Sequence, residues 1–282
     1  MSTLLPSPPI ERRRRSWTLS AGLALVGLHA AVALLTLVWT PFDPAELAGG
    51  RLEAPNWIHW AGTDRLGRDL LSQILVGSRI ALLVGTGAVL VGALVGVTLG
   101  TLAAFASRTL DDALAAALDI LIAFPTLLIA MLVVAVTQSP SLSTAILALG
   151  LGLSAIFARL TRILAKRVLV LDFITAARTC GTSWPRIVLT HVLPNIWPAL
   201  SVAVALQFGL AVIAEASLSY LGLGAPPPNS SWGRLLQEAQ GTVFTAPLGA
   251  VLPGLALVSL VIGINLLADG LRERGDPAGA QR

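Results

Sequence analysis

Six stretches of this chain run for about 20 residues with little or no charge, near 18–39, 80–104, 114–136, 142–164, 198–218 and 247–268. A helix rises about 1.5 Å per residue, so about 20 apolar residues cross the ~30 Å hydrocarbon core of a bilayer. The expectation is an all-α membrane protein of six transmembrane helices. Hydrophobic residues make up 55% of the chain and charged residues 12%, so little polar surface is left for a soluble fold of this length. The pI near 10.5 does not point to nucleic acid. Only 19 of 282 residues are Lys or Arg, and no basic face carries interleaved aromatics.

The placement of those basic residues gives orientation. With the N-terminus inside, the inner segments hold 14 Lys and Arg and the outer segments five. The positive-inside rule then puts both termini in the cytoplasm. Arg12 to Arg15 precede an apolar run, as in a secretory leader. That run is too long for a leader's apolar region and no small-residue cleavage site follows, so an uncleaved anchor is expected. TQSPSLS (137–143) forms a tight hairpin between the third and fourth spans. The Pro-rich start (6–9) and the chain after Arg272 read as short disordered ends.

Nucleotide chemistry is missing. A phosphate-binding loop needs GxxxxGK[ST], and the only lysine, Lys166, follows an alanine. Nucleotide, if it drives this chain, binds elsewhere. No nucleophile lies near a base, one cysteine forms no internal disulfide, and His29, His59 and His191 are far apart, so neither catalysis nor a metal site is expected. Asp119 and Glu215 fall within spans and read as caps or as partners of interfacial arginines. His29 reads as a hydrogen-bonded packing residue, and Pro125 as a kink in the third span.

Three segments outside the spans carry information. In 62–83, Thr63 or Asp64 can cap an interfacial helix leading into the second span. Residues 218–240 combine Gly and Pro with a triple proline, an ordered non-helical loop followed by a short helix after Trp232. The third is DFITAARTCGTSWPRIVLTHVLPN (172–195). Asp172 can cap a short helix and Gly181 can end it in the left-handed conformation. Ser183 can cap a second helix, with Trp184 and Pro185 in its first turn, running to Leu193 until Pro194 interrupts it. Phe173, Ala176, Ala177 and Cys180 share a narrow face, with Arg178 on another. Small residues there would let a partner's backbone approach. A basic loop lying on lipid phosphates would fit the same charges.

The run A-A-R-x-x-G at 176–181, followed by a helix and H-x-L-P-N at 191–195, resembles the cytoplasmic signature loop of ABC-importer permeases. GTDRLGRDLLSQILVGSRIALLVG (62–85) and SLSYLGLGAPPPNSSWGRLL (217–236) are similar to one subgroup, the C-type permease of dipeptide, oligopeptide and nickel importers. The resemblance implies a type I importer permease fold with a cytoplasmic coupling helix, in the bacterial inner membrane. It implies a first part, 1–77, whose helix wraps a partner permease. A transport core, 78–269, follows with its coupling loop at 165–195, and then a cytoplasmic tail, 270–282. The loop residues it singles out are Asp172, Phe173, Thr175, Ala176, Ala177, Arg178, Gly181, His191, Pro194 and Asn195. The family's Glu-Ala-Ala corresponds to Thr175, Ala176 and Ala177, so the acidic residue is replaced here.

The implied partners are a homologous second permease, two ATPase subunits carrying the ATP and magnesium, and an extracytoplasmic substrate-binding protein. This chain would be a non-catalytic subunit without a cofactor or metal of its own, working by alternating access. Peptides are the expected cargo, with nickel, glutathione and opine-like compounds open. A self-sufficient secondary transporter would need paired ionisable residues at midplane. A membrane-embedded enzyme would need a nucleophile and base.

Overall fold

The computed structural model describes residues 17–275 apart from 225, 227 and 228. The expectations for residues 6–9, for the end of the tail and for most of the triple proline therefore lie outside the described residues. The helices in chain order are α1 (Trp17–Leu35), α2 (Leu70–Ala104), α3 (Arg108–Ala123), α4 (Thr126–Thr137) and α5 (Leu142–Leu169). They continue with α6 (Asp172–Thr179), α7 (Trp184–Ile187), α8 (Leu193–Tyr220), α9 (Trp232–Ala239) and α10 (Leu248–Gly275). The fold is all-α among the described residues, apart from a single β-bridge between Thr63 and Asp69. Five helical stretches are long and apolar enough to cross a membrane, and the bent pair α3–α4 makes a sixth when it is counted as one span.

The third span is broken rather than gently kinked, with 86° between α3 and α4. Phe124 leaves the helical region (ψ 129°) because the ring of Pro125 clashes with a helical residue before it. At the following hairpin Gln138 is left-handed (φ 48°), and Ser141 caps α5 by accepting from the amide of Thr144.

The helix expected from Thr63 or Asp64 does not form. Gly62 and Gly67 both take positive φ, and Asp64 Oδ1 accepts from the amides of Leu66 (2.8 Å) and Arg68 (3.0 Å), closing a turn. The true N-cap is Asp69. Its carboxylate accepts from the Ser72 amide (2.8 Å) and hydroxyl (2.7 Å), and α2 runs unbroken from Leu70. At about 1.5 Å per residue its 35 residues exceed the hydrocarbon thickness, so it projects beyond the bilayer.

The α2–α5 seam holds the core together. Gly92, Gly96 and Gly100 recur every four residues on α2, the small-residue spacing that lets membrane helices touch backbone to backbone. A Cβ on Gly96 would stand 2.5 Å from the Phe157 Cβ and 2.9 Å from the Ala158 amide nitrogen. Around this seam Val84, Ala88, Leu149, Leu153 and Phe157 are buried, with Leu218 of α8 completing the cluster.

A second knot ties five helices together at the other end of α2. Trp232, at the start of α9, donates its indole N–H to the carbonyl of Ile74 (2.9 Å) and shares a buried cluster with Val212 of α8 and Leu260 of α10. His29 of α1 meets its ring edge-on at 5.5 Å and bonds Ser259 Oγ of α10 at 2.9 Å, the packing role expected of it. Trp232→Ala is expected to cost about 3–5 kcal/mol as a large buried side chain lost. Trp232→Phe should cost about 1 kcal/mol for the hydrogen bond. Thermal unfolding of the detergent-purified chain would rank the two.

Candidate functional site

The 172–195 segment folds as two short helices joined by a tight turn at the end of α5. The cap of α6 is Leu171, not Asp172, which lies inside the first turn with no side-chain capping bond. There its charge still complements the N-terminal dipole. Gly181 ends α6 with φ 81°, the Thr182 amide bonding the Ala177 carbonyl (3.0 Å) and the Gly181 amide that of Arg178 (2.9 Å). This is a Schellman motif, and it needs a left-handed residue at that position. Ser183 is the N-cap of α7, with extended backbone and no side-chain bond, and Pro185 lies in the first turn.

Pro194 does not interrupt the second helix. Residues Val188–Val192 form a π-turn in which the Leu193 amide reaches back to the Val188 carbonyl, and the helix continues into α8. Pro194 then falls in the first turn of α8, and the Asn195 side chain donates to the His191 carbonyl (2.7 Å).

The segment has a small core of its own. Ile174 and Ile187 are buried with Ala165 and Val168 of α5 and with Val192, Ile196 and Leu200. Ala177 turns partly toward that core, so the expected narrow face divides. Phe173, Thr175, Ala176, Arg178, Gly181 and Cys180 are exposed, as are Asp172, Pro194 and Asn195, while His191 is half-buried with Phe173 5.9 Å away. The guanidinium of Arg178 lies 3.8 Å above the ring of Trp184, which meets Phe105 edge-on at 4.9 Å. Phe105 is the C-cap of α2. The segment is thus a rigid knob, fastened to α2, α5 and α8, with its small residues outward. The buried isoleucines and Trp184 are needed for this shape.

Behind the knob, buried Asp111 of α3 receives Arg162 through Nε (2.5 Å) and Nη2 (2.8 Å), and also Lys166. Removing one partner of a buried pair leaves uncompensated charge, at about 3–5 kcal/mol when burial is complete. Lys166 is partly exposed, so Asp111→Ala should fall below that range and should chiefly loosen α3 from α5. Hydrogen exchange on α3 amides would detect it.

Asp119 pairs with Arg159 (3.3 Å), as expected of an arginine partner. Glu215 is neither a cap nor an arginine partner. It is buried inside α8 and accepts from Ser219 Oγ (2.7 Å), with the side chain of Ser231 as a second hydrogen-bonding partner. The α9 loop folds back over α8, which is why hydroxyls rather than a guanidinium reach it.

Residues 96–278 match the family of binding-protein-dependent transport system inner membrane components. The dipeptide transport system permease protein DppC of Alkalihalophilus pseudofirmus is 35% identical over 257 residues, covering 91% of this chain and 84% of that protein. The glutathione transport system permease protein GsiD of Pectobacterium atrosepticum is 38% identical over 266 residues, covering 94% and 88%. The di/tripeptide transport system permease protein DppC of Pseudomonas aeruginosa is 35% identical, covering 91% and 86%. Among solved structures, an inward-facing MetNI methionine ABC transporter aligns with TM-score 0.61 at 20% identity, covering 72% of this chain and 96% of that one.

Proposed function

Because the chain belongs to the family of binding-protein-dependent transport system inner membrane components, we propose that it lines half of an import pathway and takes its energy through the 172–195 knob. It is a non-catalytic ABC-importer permease subunit of the inner membrane. The remaining partners are a homologous permease, two ATPase subunits that hold ATP and magnesium, and an external substrate-binding protein. The chain itself carries no cofactor.

The observation that carries the coupling role is the knob's build. Ile174 and Ile187 fix it from behind, while Phe173 and Ala176 face outward and Arg178, stacked on Trp184, stays exposed to a partner's groove. Motion of the ATPases would pass from α6 through Trp184 and Phe105 to α2, and through the shared isoleucine core to α5 and α8. Coupling of this kind travels through packed, bistable elements rather than through distance alone. The basic excess of this side of the bundle supports a cytoplasmic knob. The replaced acid at Thr175 leaves the docking face without a carboxylate there, so contact rests on shape and on Arg178.

Short peptides are the proposed cargo, because relatives at 35–38% identity are named for dipeptide, di/tripeptide and glutathione transport. Affinity purification of the tagged chain from its own host tests the reading. It should bring down an ATPase, and proteoliposomes of the complex with the binding protein should accumulate labelled dipeptide only with ATP inside. A chain that purifies and transports alone would overturn it.

A further inference from the structure

At the end of α2 opposite the knob, residues 36–69 fold against α9 and the turn after it. Between them lies a cavity of about 210 Å³, walled mainly by Pro55, Ala61, Leu70, Leu235, Ala239 and Pro247. Arg65 also lines it. Its Nε is buried with no hydrogen-bond partner, and none of the ion pairs among the described residues uses it. An orphaned buried guanidinium donor needs an acceptor, and such groups in native proteins call for an explanation.

The surroundings are built to hold that guanidinium. It lies against Gly241, where a Cβ would collide with Nη2, so the glycine supplies its seat. Two of the three carboxylates on the cavity wall are already engaged. Asp64 accepts from Arg68 Nε (2.6 Å) and Gln73 (3.0 Å) besides its two turn amides. Burial opposes the charge on Asp64, but the Arg68 amide, the Gln73 amide and the Arg68 guanidinium outweigh it and keep the carboxyl below its ordinary range. Glu238 accepts from Arg68 (2.6 Å) and Arg234 (2.8 Å). The third, Glu53, is exposed and takes the Gly50 amide (2.7 Å). Arg51, which donates to the Arg65 carbonyl (2.7 Å), adds a further positive charge beside Arg65. Arg68 and Arg234 balance Asp64 and Glu238, so Arg51 and Arg65 together outweigh Glu53.

We propose that this cavity is a carboxylate-binding site, with Arg65 as the partner of the anion and the apolar wall taking the short carbon chain that bears it. A planar guanidinium fork matches a carboxylate, and an apolar wall with one placed charge is the usual make-up of a small-ligand site. The carboxylate can come from a free solute or from an acidic side chain of a protein docking on this face. The site does not depend on which cargo the importer moves.

Isovalerate and its uncharged amide, titrated by NMR against the full chain in nanodiscs, provide the test. Isovalerate should bind and the amide should not. Arg65→Gln should weaken binding roughly tenfold to a hundredfold, the size of a lost charge-assisted hydrogen bond. Gly241→Ala, which keeps the arginine but displaces it, should weaken binding as well, while Glu53→Gln should strengthen it. Competition with the purified binding protein separates the sources: displaced isovalerate marks a protein side chain, retained isovalerate a free solute. Equal binding of acid and amide, or unchanged affinity in Arg65→Gln, would overturn the proposal.

Discussion

Gly181→Val is expected to bring ATP-driven uptake to background while the chain still inserts and its membrane helices still pack. The reason is conformational. Gly181 sits at φ 81°, and a Cβ added there would meet nothing within 4 Å. Valine therefore fits the space but not the backbone. The left-handed region costs an ordinary residue about 1–2 kcal/mol, and β-branched residues are outliers there. The Schellman bonds to Ala177 and Arg178 would open, turning α6 away from α7 and pulling Arg178 off Trp184. Gly181→Asn is the matched control, because asparagine tolerates that region and should keep most of the uptake. Uptake by vesicles, with membrane abundance measured beside it, separates lost coupling from lost protein. Normal uptake in the valine variant would remove the turn from the coupling role.

Gly96→Leu should act on the opposite property, and severely. Its side chain would be driven into the Phe157 Cβ and the backbone of α5 at Ala158, where no rotamer change gives relief. Overpacking typically costs about 1–3 kcal/mol when side chains can yield, so a clash against backbone should exceed that range. Folded chain should disappear from membranes, and detergent-solubilised material should unfold at markedly lower temperature. Leu94→Ala, on the exposed side of the same helix, should leave both readouts close to the wild type. Wild-type abundance of Gly96→Leu would mean that the α2–α5 seam is not what holds the bundle.

The two sites differ in how far they could be read from the chain. Five spans and the broken third were legible because an apolar run of membrane length has few alternatives, and Pro125 marked its own break. The Gly181 turn was legible for a similar reason, since a glycine after a short helix and before Ser-Trp-Pro is a local stop signal. The start of α2 was not. Thr63 and Asp64 are good caps in isolation, and only the bridge between Thr63 and Asp69, with positive φ at Gly62 and Gly67, shows that Asp69 does the work. Pro194 misled in the same way, because a π-turn upstream absorbs the missing donor. The spacing of Gly92, Gly96 and Gly100 could be seen in the sequence, but not its partner helix. Asp111 meets Arg162 and Lys166 across 51 and 55 residues, and Arg68 meets Glu238 across 170, which no local pattern encodes. Glu215 was misassigned for that reason too, its second hydroxyl partner, Ser231, arriving from a different element.

If a separate ATPase grips the 172–195 knob, the chain carries its own probe for that contact. Cys180 is the only cysteine in the sequence, and it is exposed at the end of α6 beside Ala176. The rate of its alkylation by a small maleimide, measured on the chain in nanodiscs with and without the ATPase subunits, reports whether that face is covered. The chain alone should label rapidly, and bound ATPases should protect it strongly until they are stripped away. Equal labelling rates with and without a bound ATPase would contradict that contact.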